Sequence, residues 1–253
     1  MIKEVSDRKN ISLSYAKNIR IKTLEMVYKA QASHIGGAFS MADILAVLYS
    51  GILKIDSADT NNENRDRFLL SKGHACTSLY AALALTGFFP INMLDEYGTD
   101  GTILMSHASS KVPGVEFSTG SLGHALPVAC GLALAAKRKQ MNYRSFVLLG
   151  DGELNEGSNW ESFLFAQHHK LDNLIVVIDY NKIQSFGTTA EVMLLDPLAD
   201  KLKAFNWEVV EVDGHNHDDL WYAFESFEQN GIPKCVIAHT IKGKGVSFME
   251  NKL

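Results

Sequence analysis

Asp151 follows the apolar run Ser145 to Leu149 inside the tripeptide Gly150-Asp151-Gly152, and Asn181 comes just after a second apolar run, Leu174 to Asp179. These residue types suit the holding of a hard cation. Asp151 brings one charged carboxylate oxygen, Asn181 a neutral amide oxygen, and Ile183, two residues on, a backbone carbonyl. Three oxygens with a single charge fit Mg²⁺ or Ca²⁺, which borrows its remaining ligands from phosphate and water. Gly150 and Gly152 remove Cβ where the backbone must come close to something. A cation held this way fastens a diphosphate.

Elements that place these residues follow from the apolar runs. Both are short and do not alternate, as expected for strands of a parallel sheet covered on two faces. The stretch between them is long enough for the helical crossover that such a pair requires. Ligands of open parallel sheets bind beyond the carboxyl ends of the strands, where Asp151 and Asn181 would face one crevice.

A second group repeats this logic. Phe68 to Leu70 reads as a strand ending at Ser71-Lys72-Gly73-His74, followed by a helix rich in small residues, Ala75 to Leu85. Helix amino termini and lysines favour anions. His34 lies in Ser33-His34-Ile35-Gly36-Gly37, between an amphipathic helix over Ser12 to Ala32 and a second helix over Met41 to Ile52, with Ser40 as its N-cap. His107 sits in a turn-rich segment, residues 97 to 118, that leads to the helix Leu126 to Arg138. These three histidines lie at polar or glycine-containing turns, and together with the oxygen set they favour a site.

Beyond Asn181 the spacing predicts a looser region over 185–197, a helix over 198–205, a strand over 207–212, a helix over 219–228 and a last strand over 234–239. That strand closes on Thr240-Ile241-Lys242-Gly243-Lys244-Gly245. Strands alternating with helices predict an α/β fold, a doubly wound parallel sheet with helices on both faces, over residues 1–253 as one domain.

At 253 residues and 46% apolar content the chain has material for a substantial core, and a net charge of −5 without a long basic run argues against nucleic acid as the main partner. Cys76, Cys130 and Cys235 lie far apart with no C-x-x-C spacing, which suits buried thiols in a reduced compartment. The amino terminus lacks an apolar signal core and no run is long enough to span a membrane, so the expectation is a cytoplasmic protein. His168-His169 read as surface or interface residues. His215 and His217 have H-x-H spacing but lie in a polar stretch, 213–219, that suits the capping of the next helix better than a zinc site.

The segments SHIGGAFSMADIL, SKGHACTSLYAAL, SHASSKVPGVEFSTGSLGHAL, GDGELNEGSNWES, DYNKIQSFG and HTIKGKGVSFMEN, in that order over about residues 30–250, resemble the transketolase family in the part that binds the diphosphate of thiamine diphosphate. The span from Gly150-Asp151-Gly152 to Asn181 resembles the thiamine diphosphate signature, with Tyr180 where the family often has a first Asn. A full-length transketolase continues into a pyrimidine-binding domain and a carboxyl-terminal domain, whereas this sequence stops at Leu253. The resemblance is therefore closest to split transketolases, with a single-chain fragment as the other way to obtain this length.

The resemblance implies roles position by position. Asp151, Asn181 and the Ile183 carbonyl match metal ligands. Gly150, Gly152, Glu153 and His74 match the cofactor's diphosphate environment, with Lys72 and Lys242 adding positive charge nearby. Gly120, Ser121 and Leu122 match backbone that faces the aminopyrimidine. His34 and His107 match histidines that contact substrate oxygens, and Glu156 a glutamate that links paired active sites through a carboxylate network. His124 stands where the family often has Gln. The family also places a Trp-His pair just after M-E-N, beyond which this sequence gives only Lys252 and Leu253.

The glutamate that activates the cofactor lies in the family's pyrimidine-binding domain, so the chain is expected to be inactive alone. The implied function is the amino-terminal subunit of a two-component transketolase, a transferase of carbohydrate metabolism. It would move a two-carbon ketol unit from a ketose phosphate to an aldose, using thiamine diphosphate and a divalent metal, as an α₂β₂ heterotetramer with a carboxyl-terminal partner subunit. Two alternatives stand beside it: a subunit of another thiamine diphosphate enzyme, 1-deoxyxylulose-phosphate synthase-like or dehydrogenase-like, and a non-catalytic assembly subunit of the same fold.

Overall fold

A computed structural model describes residues 2–252. Five parallel strands form one sheet: β1 (Arg67–Leu70), β2 (Ser145–Gly150), β3 (Leu174–Tyr180), β4 (Glu208–Asp213) and β5 (Lys234–His239), in the spatial order β1-β2-β3-β5-β4. The absence of alternation in the sequence has a direct cause. Along β2, Phe146 and Leu148 enter the core on one face, while Val147 and Leu149 enter the core on the other. Both sides of the strand are apolar because both are covered.

The first core also takes α1 (Ile2–Ala30), α3 (Ala42–Val47), α4 (Cys76–Thr86) and α9 (His217–Glu225), and the second takes α5 (Ala125–Arg138), α6 (Gly157–His168) and α8 (Leu198–Ala204). On α1, Ser12, Ala16, Ile19, Thr23, Met26 and Val27 are buried, a three-to-four-residue spacing that turns one stripe toward the sheet. α4 is buried along nearly its whole length, which its alanines permit by taking little space between α1 and the sheet.

Two expectations are corrected. The helix expected over Met41 to Ile52 starts earlier and is broken: α2 (Ile35–Ser40), then α3, then a π turn over Leu48–Ile52. Ser40 is not an N-cap but the end of α2, and its hydroxyl donates to the carbonyl of Gly37 at 3.0 Å and to the carboxylate of Asp179 at 2.5 Å. The looser region after Asn181 contains a short helix, α7 (Thr189–Val192), started by a reciprocal capping box between Thr188 and Glu191. The other expected elements are present within a few residues of their predicted ends.

Candidate functional site

Four strand ends build the site. β1 runs into Ser71-Lys72-Gly73-His74, β2 into Gly150-Asp151-Gly152, β3 into Asn181-Lys182-Ile183, and β5 into Thr240-Ile241-Lys242. Because all strands are parallel, these turns leave the sheet at the same end.

Asp151 is 3% exposed. Its Oδ1 accepts from the backbone N–H of Gly152 at 2.7 Å and its Oδ2 from that of Lys182, which joins the ends of β2 and β3 through one carboxylate. Lys182 has left-handed backbone, so the chain reverses at once and the N–H of Ile183 donates to Asn181 Oδ1 at 3.1 Å. The Ile183 carbonyl then accepts from Lys242 Nζ at 3.2 Å. Burial and the neighbouring Asp179 carboxylate push the Asp151 carboxyl up to about 6. A buried carboxylate held so far above its ordinary range gains from a nearby cation. Carboxylate, amide and carbonyl oxygens fit Mg²⁺ or Ca²⁺ rather than a soft metal. Among the described residues no three His, Cys, Asp or Glu side chains group as a metal site.

Of the two glycines beside Asp151, only Gly152 is sterically required. A Cβ there would lie 3.0 Å from Gln184 Cγ, whereas one on Gly150 would meet Lys72 Cδ at an ordinary 3.5 Å.

The three histidines come together. The ring of His34 lies 5.1 Å from that of His74 and 6.4 Å from that of His107, centroid to centroid. His34 is placed by left-handed backbone at the start of α2. His74 is placed by a 3-10 turn, Gly73–Ala75, that leads into α4. His107 is placed by its own carbonyl, which accepts from Tyr80 Oη at 2.8 Å. Burial, then Lys72, His34, His107 and Lys242, push the His74 imidazole down to about 3. Burial, His107 and Lys242 lower that of His34. Both rings are neutral at pH 7, each offering one N–H and one lone pair.

Lys72 is buried beneath them, its ammonium donating to the Gly37 carbonyl at 2.8 Å and to the Asp179 carboxylate. Glu153 is likewise buried, and its oxygens accept from the Ser71 hydroxyl, from Gly123 N–H at 2.8 Å and from Gly150 N–H at 3.2 Å. It ties the turns after β1 and β2 to the 120–123 segment. In that segment Gly120 and Ser121 are exposed and Leu122 is half-buried, and a Cβ on Gly120 would touch the His107 ring at 3.4 Å. Glu156 is exposed at the start of α6 and stands apart from the histidine trio, and His124 is exposed with Nδ1 2.8 Å from the Leu122 carbonyl.

His215 and His217 are not free to take a metal. His215 Nδ1 lies 2.7 Å and His217 Nε2 3.1 Å from the buried Asp43 carboxylate, and His217, 1% exposed, is core rather than polar loop. Asn216 is the residue that caps α9.

Sequence reasoning missed Asp179. Fully buried at the end of β3, it receives Ser40, Lys72, Asn181 and Thr240 and so joins four segments under the crevice. An aspartate closing the run Leu174 to Tyr180 was the available signal, since a charge in a strand buried on both faces requires partners.

The model of the transketolase thiamine diphosphate binding domain matches residues 11–253, and the chain belongs to the transketolase family. One of the two subunits of the apulose-4-phosphate transketolase from Phocaeicola vulgatus is 43% identical over 95% of this chain and 85% of its own length. The 6-deoxy-6-sulfo-D-fructose transketolase subunit SqwG from a Clostridium species is 44% identical over 96% of this chain and 90% of its own. Human transketolase is 37% identical over 94% of this chain but only 38% of its own length. The solved transketolase of Campylobacter jejuni superposes with a TM-score of 0.90 at 32% identity, over 95% of this chain and 39% of that one. Within the family this chain is therefore the amino-terminal component of a two-component transketolase, as its motifs led us to expect. Among the described residues no helix is long and apolar enough to cross a membrane.

Proposed function

We propose that this chain anchors the diphosphate of thiamine diphosphate through a divalent metal held by Asp151, Asn181 and the Ile183 carbonyl, and that it works in an α₂β₂ assembly with a carboxyl-terminal subunit. The observation that carries this reading is the buried Asp151 carboxylate, wrapped by the turn that presents Asn181 and Ile183. Its raised proton affinity supports a cation as its partner. Lys242, on the Ile183 carbonyl, and Lys72 below supply positive charge that favours a bound anion. Glu153 holds the surrounding turns in place.

When bound, the cofactor supplies the stabilised carbanion that this chemistry needs. The protein's own residues orient and shield. The backbone of Gly120 to Leu122 faces the aminopyrimidine, and the neutral rings of His34, His74 and His107 position diphosphate and sugar hydroxyls by hydrogen bonds without adding charge. Substrates are sugar phosphates or their modified relatives, in line with the branched and sulfonated sugars in the names of the two similar proteins from Phocaeicola vulgatus and Clostridium.

The test is turnover of xylulose 5-phosphate with ribose 5-phosphate, then of a panel including branched and sulfonated ketoses, for the chain alone and with its partner subunit. Turnover only by the pair is the expected result. Turnover by the chain alone would mean that it carries its own cofactor-activating acid and would overturn the division of labour.

A further inference from the structure

Lys242 reaches the Ile183 carbonyl from across the crevice, and the segment that carries it, Thr240 to Gly245, has no regular secondary structure. Its position is set by contacts from outside. Thr240 donates to Asp179, Gly243 N–H donates to the Gly36 carbonyl at 3.0 Å, and Arg20 Nε donates to the Lys244 carbonyl at 3.0 Å. The contact nearest to Lys242 in sequence is the backbone N–H of Ile241, which donates to Nε2 of His215 at 2.8 Å.

That bond fixes the chemistry of His215. A backbone N–H is always the donor, so Nε2 must keep its lone pair and the ring proton must sit on Nδ1. Nδ1 faces Asp43 Oδ2 at 2.7 Å, an acceptor that suits this tautomer and no other. Asp43 is itself held by both Arg20 guanidinium nitrogens, at 3.0 and 2.6 Å, and by His217 Nε2 at 3.1 Å. Arg20 comes from α1, Asp43 from α3 and His215 from the turn after β4. Three elements outside the crevice thus converge on one N–H beside its lysine. The side chains of His215 and Asp43 are only 11% and 8% exposed, so water does not readily replace the bond.

We propose that His215 is a positioning residue for Lys242: locked by Asp43 as the Nδ1–H imidazole, it seats the Ile241 N–H and thereby aims the lysine ammonium at the bound anion. The inference rests on reading the crevice as a diphosphate site, and it assigns to the H-x-H pair a role that is neither metal binding nor helix capping.

The test uses the full chain with three substitutions. H215N keeps an amide donor for Asp43 and loses the acceptor for Ile241, H215Q restores an acceptor at about the reach of Nε2, and K242M removes the ammonium. In an amide-exchange experiment, H215N is expected to speed exchange at Ile241 about tenfold, as for loss of one buried hydrogen bond, with Val236 and Ile237 in β5 unchanged and H215Q partly restoring protection. Unchanged Ile241, or faster exchange throughout β5, would overturn the proposal. In calorimetry with thiamine diphosphate and Mg²⁺, H215N is expected to weaken binding about tenfold, and H215N/K242M to bind no more weakly than K242M. Additive losses would show that His215 acts otherwise than through Lys242. If the wild-type chain binds no thiamine diphosphate, the reading of the crevice fails, and the exchange arm still decides by itself whether His215 anchors the segment.

Discussion

The ammonium of Lys72 and the carboxylate of Asp179 form an ion pair sealed under the crevice floor, their side chains 4% and 0% exposed. The pair joins the end of β3 to the turn after β1, and the same carboxylate receives hydroxyls from Ser40 and Thr240. Removing one member strands the other charge away from water. D179A is expected to lower unfolding free energy by about 3–5 kcal/mol in urea titrations. K72M/D179N removes both charges at once and should cost less than D179A. A D179A chain as stable as wild type would show that the pair is not coupled to the fold.

Gly73 has almost no room beside it. A Cβ there would lie 2.5 Å from both the carbonyl oxygen and the hydroxyl of Thr119, in a place where Ala108 N–H donates to the Gly73 carbonyl at 3.1 Å and Thr119 N–H to the Ala108 carbonyl at 3.0 Å. G73A is expected to destabilise the chain by about 1–3 kcal/mol and to weaken thiamine diphosphate binding, because the turns bearing His74 and Gly120 are pushed apart. Thermal denaturation and titration calorimetry check both effects.

The pH dependence of stability carries the mark of His74. Its folded imidazole is pushed down to about 3 by burial and by Lys72, so below the ordinary imidazole range the unfolded chain binds a proton that the folded chain refuses. Stability therefore falls as pH falls, over a window from about 6.5 toward 3. Asp151, pushed up to about 6, acts in the opposite sense, since the folded chain takes up its proton first. The wild-type slope is accordingly shallow, and the difference between wild type and H74Q isolates the histidine. H74Q should remove about 1–2 kcal/mol of acid destabilisation between pH 6.5 and 5. Parallel curves for the two proteins would contradict this.

Ligand linkage tests the oxygen set. Mg²⁺ together with thiamine diphosphate should raise Tm in proportion to the logarithm of ligand concentration, and a chelator should reverse the gain. D151A should abolish the shift while still showing a cooperative melt. A D151A chain that keeps the shift would remove Asp151 from the metal site.

The parts of this site that lie close together in sequence were legible there. Asp151 and Asn181 each follow an apolar run, and such a run predicts a strand because both of its faces are buried. His74 follows β1 in the same way. What stayed hidden depends on contacts between distant segments. Asp179 receives Ser40 from 139 residues away, Lys72 from 107 and Thr240 from 61, and no local pattern signals that convergence. Ser40 has the residue type of an N-cap, yet Asp179 claims its hydroxyl and the helix begins earlier, at Ile35. His215 and His217 resemble a ligand pair only until Asp43, a residue of α3, comes between them and a metal.

The left-handed backbone at His34, with φ of 68°, bears on how this chain can diverge over time. Glycine, asparagine, aspartate and histidine enter that region readily, whereas β-branched residues do so at a steep cost. A lineage that gives up the imidazole at this position thus has few substitutes that keep the reversal between α1 and α2. Two of them are small or acidic, and none offers a neutral ring of the same reach. Position 34 is a narrow gate through which a change of sugar preference would have to pass, while the exposed rim around Ser121 can vary widely without disturbing the fold.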